Sequence, residues 1–248
     1  MRFRSSNPVF SRINKMDNVG INYESATYRG VAGKSFYFTI LIVLGAILGI
    51  GLFATKPDAL MSALPIVGIT TFITALIAMM SPRATKIAGT IYCISEGVLV
   101  GLVSLIFETV YPGVVIAGLT GTIAVLFVVG TVYFTGLVKV TGRFVKFLLI
   151  FAISVILCQF ALFILTLFMP ELNTIYSNFG VSLLVSGVMI FLATMYLMFD
   201  MENIRQVVEG GQPKEMEWYA SFGLVFTIVW LYMEVLRLVA IIMDRVKN

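Results

Sequence analysis

Four ionisable residues lie inside long apolar stretches of the sequence, where water does not solvate them: Glu96, Asp200, Glu234 and Arg237. A charge at the middle of a bilayer costs at least about 2.5–3.5 kcal/mol, so such residues usually serve a function or pair with one another. Carboxylate oxygens are also the ligands that hard cations prefer. The four residues therefore indicate a site for protons or cations within a membrane.

Each of these residues also has a purely structural interpretation. Asp200 lies near the end of its apolar stretch and could be an interfacial carboxylate. Glu234 and Arg237 are three residues apart, a spacing that allows an ion pair along one helix. Glu96 could be a polar group that hydrogen-bonds between packed helices. The sequence leaves both interpretations open for every one of them.

The composition requires lipid around these residues. Of the 248 residues, 59% are hydrophobic and 12% are charged, against about 45–50% and about 25% in soluble proteins. The absence of histidine excludes histidine-based catalysis and histidine–zinc sites. The two cysteines, Cys93 and Cys158, lie in apolar stretches without a CxxC motif, so we expect buried, unreactive side chains. We expect neither an enzyme nor a nucleic-acid-binding protein, and no cofactor.

Seven apolar segments have about the 20 residues that a bilayer span needs, which predicts an all-α polytopic membrane protein. The segments are Phe36–Ala54, Ala59–Met80, Lys86–Phe107, Val114–Leu137, Phe144–Met169, Phe179–Phe199 and Tyr219–Met243. The polar stretch MENIRQVVE predicts that the sixth helix extends as far as the glycine pair at 210 and 211. Residues 1–35 are predicted to be a basic polar tail and residues 36–245 a seven-helix membrane domain.

The distribution of Lys and Arg predicts the orientation. Thirteen of the 17 lie in the N-terminal tail and in the connections after the second, fourth and sixth segments; three lie on the opposite side, and Arg237 lies within the seventh segment. Basic connections remain in the cytoplasm. We therefore expect a cytoplasmic N-terminus and a C-terminus on the outside.

Small and hydroxylated residues follow the charged residues along three of the predicted helices. Asp200 shares a helix face with Ala193, Ser186 and Ser182, and Glu234 shares one with Thr227, Gly223 and Ala220. This predicts that the carboxylates point toward protein or water rather than lipid. Small residues recur at four-residue intervals in the third segment, at positions 89, 93, 97 and 101, which predicts close helix packing there.

Several motifs together resemble one membrane-protein family. MFDMENI in the sixth segment and LYMEVLRL in the seventh are similar to the signatures YDxxxI and LYLDxxNLF of the Bax inhibitor-1/YccA-like family, also called the transmembrane Bax inhibitor motif family. SPRATKIAG resembles the basic R-x-x-K-x-x-G entry to the third helix of that family. RSSNPVF and IYCISEG look like a bacterial branch. The resemblance covers the membrane part of the chain, about residues 30–245.

The resemblance implies six helices wrapped around a central C-terminal helix, in the bacterial cytoplasmic membrane. It also implies a calcium leak gated by two aspartates that share a proton, with an arginine that interacts with the first aspartate. Asp200 matches the first aspartate, Glu234 stands in place of the second, and Arg83 matches the arginine. We expect Arg83 to hold Asp200 in the closed state, and Glu96 is a further candidate for the cation path.

The expected function is thus a pH-sensitive cation leak channel, with calcium as the transported ion and the lipid bilayer as its surroundings. The alternative is a non-transporting regulatory membrane protein that binds and modulates membrane quality-control or stress and cell-death machinery. In that case its partner is another membrane protein.

Overall fold

The computed structural model describes residues 24–169 and 178–247. The described residues form seven helices: α1 (Tyr28–Thr55), α2 (Pro57–Met80), α3 (Thr85–Val110), α4 (Val114–Phe134), α5 (Gly142–Phe168), α6 (Phe179–Glu209) and α7 (Met216–Lys247). Each of the seven is long and apolar enough to cross a membrane. The predicted all-α polytopic class is confirmed. Four basic residues of the predicted tail, at positions 2, 4, 12 and 15, lie outside the described residues.

Two helix ends illustrate how local sequence sets the boundaries. Helix α1 begins at Tyr28, eight residues before the predicted segment, because the Thr27 side chain caps it by accepting a hydrogen bond from the Gly30 N–H at 3.0 Å. Helix α6 extends to Glu209, as predicted from its polar continuation. The chain then turns at Gly211, whose φ of 61° is the left-handed conformation that glycine adopts without strain.

Helix α7 is central, as expected. It contacts α1, α2, α3, α4 and α6, and its Trp230 packs against the apolar cluster between α5 and α6. Its buried side chains, including Phe222, Val225 and Leu236, form the main core together with residues of α1 to α4. Five helices therefore contact α7 directly, and α5 is joined to it through α6 and Trp230.

Helices α1 and α3 make the closest helix contact. A Cβ atom built on Gly101 would lie 2.6 Å from the carbonyl oxygen of Ala46, and Gly97 and Gly45 similarly face backbone atoms of the other helix. The predicted small-residue stripe is thus confirmed as a surface of close backbone approach. This contact fixes α1 against α3 beside the central helix.

Helix α5 is the most exposed span. It packs on α6, and most of its large apolar side chains face outward, as membrane-embedded side chains do toward lipid. Cys93 on α3 is buried as expected, whereas Cys158 on α5 is exposed. The expectation that Cys158 is buried is therefore wrong, because only one side of α5 contacts the protein.

Candidate functional site

Asp200 lies in the interface between α6 and α7. Its side chain is buried, and Oδ2 accepts a hydrogen bond of 2.6 Å from the hydroxyl of Thr227 on α7. Gly223, one turn before Thr227, lies beside the other carboxylate oxygen, since a Cβ atom there would be in ordinary van der Waals contact with Oδ1 at 3.5 Å. The Asp200 carboxylate therefore points toward protein, in agreement with the prediction that it faces protein or water rather than lipid.

Glu234 is the second buried carboxylate of this interface region. Its Oε1 accepts a long hydrogen bond of 3.4 Å from the Trp230 indole, one turn earlier in α7. Its Oε2 is buried and has no hydrogen-bond partner in the described part of the chain. Arg237 is exposed, and no ion pair among the described residues joins it to Glu234. The alternative of a self-satisfying ion pair is not supported.

The structure does not bring Asp200 and Glu234 together. Asp200 contacts α7 at Thr227, and Glu234 lies seven residues further along that helix, about 10 Å at the helical rise of 1.5 Å per residue. The expected pair that shares one proton is therefore not formed. The reason is the register of α6 against α7, which aligns Asp200 with a threonine instead of the second carboxylate.

Glu96 lies at about the depth of Asp200, on another helix. The Tyr92 ring, one turn before Glu96, packs against Phe222 and Phe226 of α7 at centroid distances of 5.2 and 5.7 Å. Glu96 therefore lies near the level of Phe226, the neighbour of the threonine that holds Asp200. It is half-buried, and no described residue donates a hydrogen bond to it. The structural interpretation of Glu96 as a hydrogen-bonded packing group is not supported.

Arg83 lies in the turn between α2 and α3, and it is exposed. The ion pairs found across residues 24–169 and 178–247 do not include one between Arg83 and Asp200. Asp200 is instead enclosed between α6 and α7, where Thr227 satisfies it. The expected closed-state contact of Arg83 with Asp200 is thus not made in this structure.

Two inter-helix polar clusters were missed at the sequence level. In the first, Glu202 on α6 accepts hydrogen bonds from Tyr133 on α4 at 2.9 Å and from Gln206 at 3.1 Å. It also accepts two from Arg205, one from the Nη2 group at 2.7 Å and one from the Nε group at 3.0 Å. Its i,i+3 and i,i+4 partners are visible in the sequence as a helical pattern. The tyrosine, 69 residues away, is not.

The second cluster surrounds Glu217, in the first turn of α7. Its side chain is 1% exposed and pairs with Lys34 of α1. It also accepts hydrogen bonds from the backbone N–H of Thr27 at 2.8 Å and from the Thr27 hydroxyl at 3.2 Å. The neighbouring Trp218 ring has two ammonium groups over it, Lys34 at 4.9 Å and Lys86 at 5.4 Å from the ring centroid. Nothing in the sequence relates these residues.

The segment before α1 continues this contact as a short strap, residues 24–27, laid along residues 212–214. Ser25 forms an antiparallel bridge with Pro213, and the Ala26 N–H donates to the carbonyl oxygen of Gln212 at 2.8 Å. An exposed ion pair joins Glu24 to Lys214. This pair lowers the pKa of the Glu24 carboxyl and raises the pKa of the Lys214 ammonium group. The strap thus ties the start of α1 to the α6–α7 connection.

No group of three or more Asp, Glu, Cys or His side chains with the geometry of a metal site occurs among the residues that the structure describes. The three predicted carboxylates are instead dispersed: Asp200 and Glu96 at one level, and Glu234 about 10 Å closer to the C-terminal end of α7. Such an arrangement offers successive carboxylate oxygens along α7 rather than one enclosed cage.

Seven apolar helices around a central α7, with carboxylates buried beside it, define an integral polytopic membrane protein. The model of the family described as Bax inhibitor 1 like matches residues 7–244. The chain therefore belongs to the Bax inhibitor 1 like family. No curated protein matches the chain.

Proposed function

We propose that the protein is a pH-sensitive cation leak pathway, with calcium as the expected ion and with no enzymatic activity. The observation that carries the proposal is that Asp200, Glu234 and Glu96 lie within membrane-crossing helices without an ion-pair partner among the described residues. A carboxylate in a low-dielectric site must be neutralised by a proton or a cation. Carboxylates of this kind that form no ion pair with a described residue support exchange of protons for cations.

The positions of the carboxylates support a route along α7. Asp200 and Glu96 lie at one level on two different helices beside α7, and Glu234 lies further toward its C-terminal end. Along the axis of α7, the backbone of Glu234 lies about 10 Å beyond that of Thr227, the residue that binds Asp200. Oxygen ligands spaced in this way suit a hard cation that must bind briefly and then move on.

The proposed gate is the contact between α6 and α7 at Asp200. In its ionised form Asp200 accepts the Thr227 hydroxyl hydrogen, which holds the two helices together. Protonation weakens this charge-assisted hydrogen bond, and a cation at the carboxylate competes with it. The pH sensitivity thus arises at Asp200 and, independently, at Glu234, rather than from one pair that shares a proton.

Flux measurements test the proposal. Purified protein in liposomes is assayed with calcium, potassium and proton indicators over a range of pH, and Asp200→Asn with Glu234→Gln should flatten the pH dependence of flux. The matched control is Asp58→Asn, which removes an exposed carboxylate at the start of α2. A double variant that keeps the full pH profile of the parent would refute the proposed gate.

The single variants separate two mechanisms. Effects of sites more than about 7–10 Å apart usually add, so Asp200→Asn and Glu234→Gln should each remove part of the pH dependence. Thr227→Val keeps the Asp200 carboxylate but removes its hydrogen-bond donor, and it should shift the pH profile without abolishing flux. If either single variant has the effect of the double variant, the two carboxylates act as one coupled pair.

The same assay distinguishes the alternative function. A non-transporting regulatory protein needs its membrane-protein partner, so liposomes that contain this chain alone would show no flux above that of empty liposomes. Flux that depends on the buried carboxylates would instead support the leak pathway.

We also propose that the N-terminus is cytoplasmic and the C-terminus external, in the bacterial cytoplasmic membrane. Lys139, after α4, and Lys56, between α1 and α2, are exposed and lie at opposite ends of the bundle. Cysteines introduced at these two positions should react with a membrane-impermeant maleimide from opposite sides, position 56 in intact cells and position 139 only after lysis. Reaction at both positions in intact cells would contradict this orientation.

A further inference from the structure

A cavity of about 480 Å³ opens near the C-terminal end of α7, between the end of α3 and the start of α6. One part of its wall is apolar and includes Phe107, Phe179 and Ile241; another carries the guanidinium groups of Arg237 and Arg245. This volume is within the range of about 300–1,000 Å³ that small-molecule sites occupy. The combination of apolar walls and cationic groups suits an amphipathic anion.

Arg237 is the lining residue whose charge such a ligand would neutralise. It is exposed on α7, ten residues before Lys247, which places it about 15 Å from the end of the helix. No hydrogen bond or ion pair within the described part of the chain involves its guanidinium group. A guanidinium group at this depth in a membrane is costly unless an anion or the headgroup region neutralises it.

Arg245 is held at the mouth of the same cavity. Its guanidinium carbon lies 5.9 Å from the centroid of the Phe179 ring, an arrangement that orients the charge by a cation–π contact. Arg245 follows Arg237 by two helical turns, so the two arginines line the cavity at different depths. Guanidinium is the side-chain group best suited to bind phosphate, because its N–H groups form paired hydrogen bonds to phosphate oxygens.

The cavity retains a positive balance despite the acidic residue in its wall. Asp244 is that residue, and its Oδ1 accepts a hydrogen bond of 2.7 Å from the Tyr111 hydroxyl. The same contact raises the pKa of Tyr111, so the phenol stays neutral and serves as a donor to the carboxylate. Among the described residues that line the cavity, two arginines therefore accompany one aspartate.

We propose that this cavity binds an anionic phospholipid, with its phosphodiester between Arg237 and Arg245 and its acyl chains along the apolar wall. A free phosphate ion would use the two arginines but leave Phe107 and Ile241 unoccupied. A phospholipid uses both parts of the wall, and the bilayer supplies it at high local concentration. The proposed lipid bridges the ends of α3, α6 and α7, so it stabilises the arrangement of the three helices.

Native mass spectrometry of the purified full-length chain tests the proposal, with phosphatidylglycerol, phosphatidylcholine and inorganic phosphate added separately. We expect one phosphatidylglycerol molecule to stay bound, at least tenfold more tightly than phosphatidylcholine. The variant Arg237→Gln with Arg245→Gln should weaken this binding at least tenfold. The control Lys56→Gln, which removes an exposed cation elsewhere on the same face, should leave it unchanged.

A second variant keeps the charges and fills the space. Ile241→Trp leaves both arginines in place but occupies part of the cavity, and it should also lose the bound lipid. This variant remains informative if the double arginine variant does not fold. Equal binding of phosphatidylglycerol by the parent and by both variants, equal binding of phosphatidylcholine, or displacement of the lipid by inorganic phosphate would overturn the proposal.

Discussion

The buried ion pair between Lys34 and Glu217 gives the sharpest prediction about stability. The Glu217 side chain is 1% exposed and that of Lys34 is 15% exposed. Replacing Lys34 with Met preserves the length of the side chain but leaves the carboxylate buried without its cation. Removing one partner of a buried ion pair typically costs about 3–5 kcal/mol. The two hydrogen bonds from Thr27 remain, so we expect a loss of about 3 kcal/mol, toward the lower end of this range.

A double-mutant cycle identifies the cause of this loss. In Lys34→Met with Glu217→Gln the buried charge is removed, while the amide oxygen still accepts from Thr27. The double variant should therefore recover most of the stability that Lys34→Met loses. Unfolding by denaturant in mixed micelles, followed by circular dichroism, supplies the free energies. Equal losses in the single and the double variant would refute the reasoning, because the cost would then not come from an uncompensated carboxylate.

The matched control is the exposed ion pair of the strap. Lys214 and Glu24 are 57% and 75% exposed, so water and salt screen their attraction. Lys214→Met should lower the free energy of unfolding far less than Lys34→Met does, although it removes an ion pair of the same chemical type only a few residues from Glu217. The difference between the two lysine variants therefore measures the effect of burial.

Two further predictions concern the α1–α3 contact and the strap. Gly101→Ala should destabilise the protein by about 1–3 kcal/mol, because the added methyl group would lie 2.6 Å from a backbone oxygen of α1. The control is Gly68→Ala on α2, where an added methyl group would meet open space. This variant should be neutral or stabilising when unfolding is measured in the same way. The ion pair of Glu24 and Lys214 has a lowered carboxyl pKa and a raised ammonium pKa. Its contribution should be fully present between the ordinary pKa values of the two groups, near 4.5 and 10.5, and disappear as the pH falls through the lowered value of Glu24 or rises through the raised value of Lys214. Crosslinking of cysteines introduced at positions 25 and 213 measures the attachment of the strap. Equal crosslinking yields with Glu24 and with Glu24→Gln at neutral pH would contradict a contribution of this ion pair.

Hydropathy predicted the existence and the order of the seven helices, since a span needs only length and apolar composition. The start of α1 was missed, because the cap at Thr27 and the basic residue Lys34, which pairs with a buried carboxylate of α7, both precede the apolar run. The extension of α6 was predicted because the glycine pair that ends it is a local signal. The end of a helix was thus predictable where the residues that cause it lie within a few positions of that end in the sequence.

The sequence identified the residues of the candidate site, but it did not predict which residues contact each other. Asp200, Glu234 and Glu96 stand out because charges are rare in apolar helices, and the helix face of Asp200 was identified through the small and hydroxylated residues that share it on α6. Helical periodicity fixes which residues share a face, but it does not fix the register between two helices. That register places Thr227 opposite Asp200. The contact of Glu217 with Lys34 also depends on tertiary packing across 183 residues, which no local pattern reveals.

The exposed position of α5 has a mechanical consequence for the gate. Helix α5 packs on α6 and has most of its surface in lipid, so a rotation of α6 that breaks the hydrogen bond between Asp200 and Thr227 must carry α5 sideways through the bilayer. The work of that displacement depends on lateral pressure and on lipid chain length. In the proposed gate, bilayer thickness is therefore a second variable, besides pH, that acts on the same hydrogen bond.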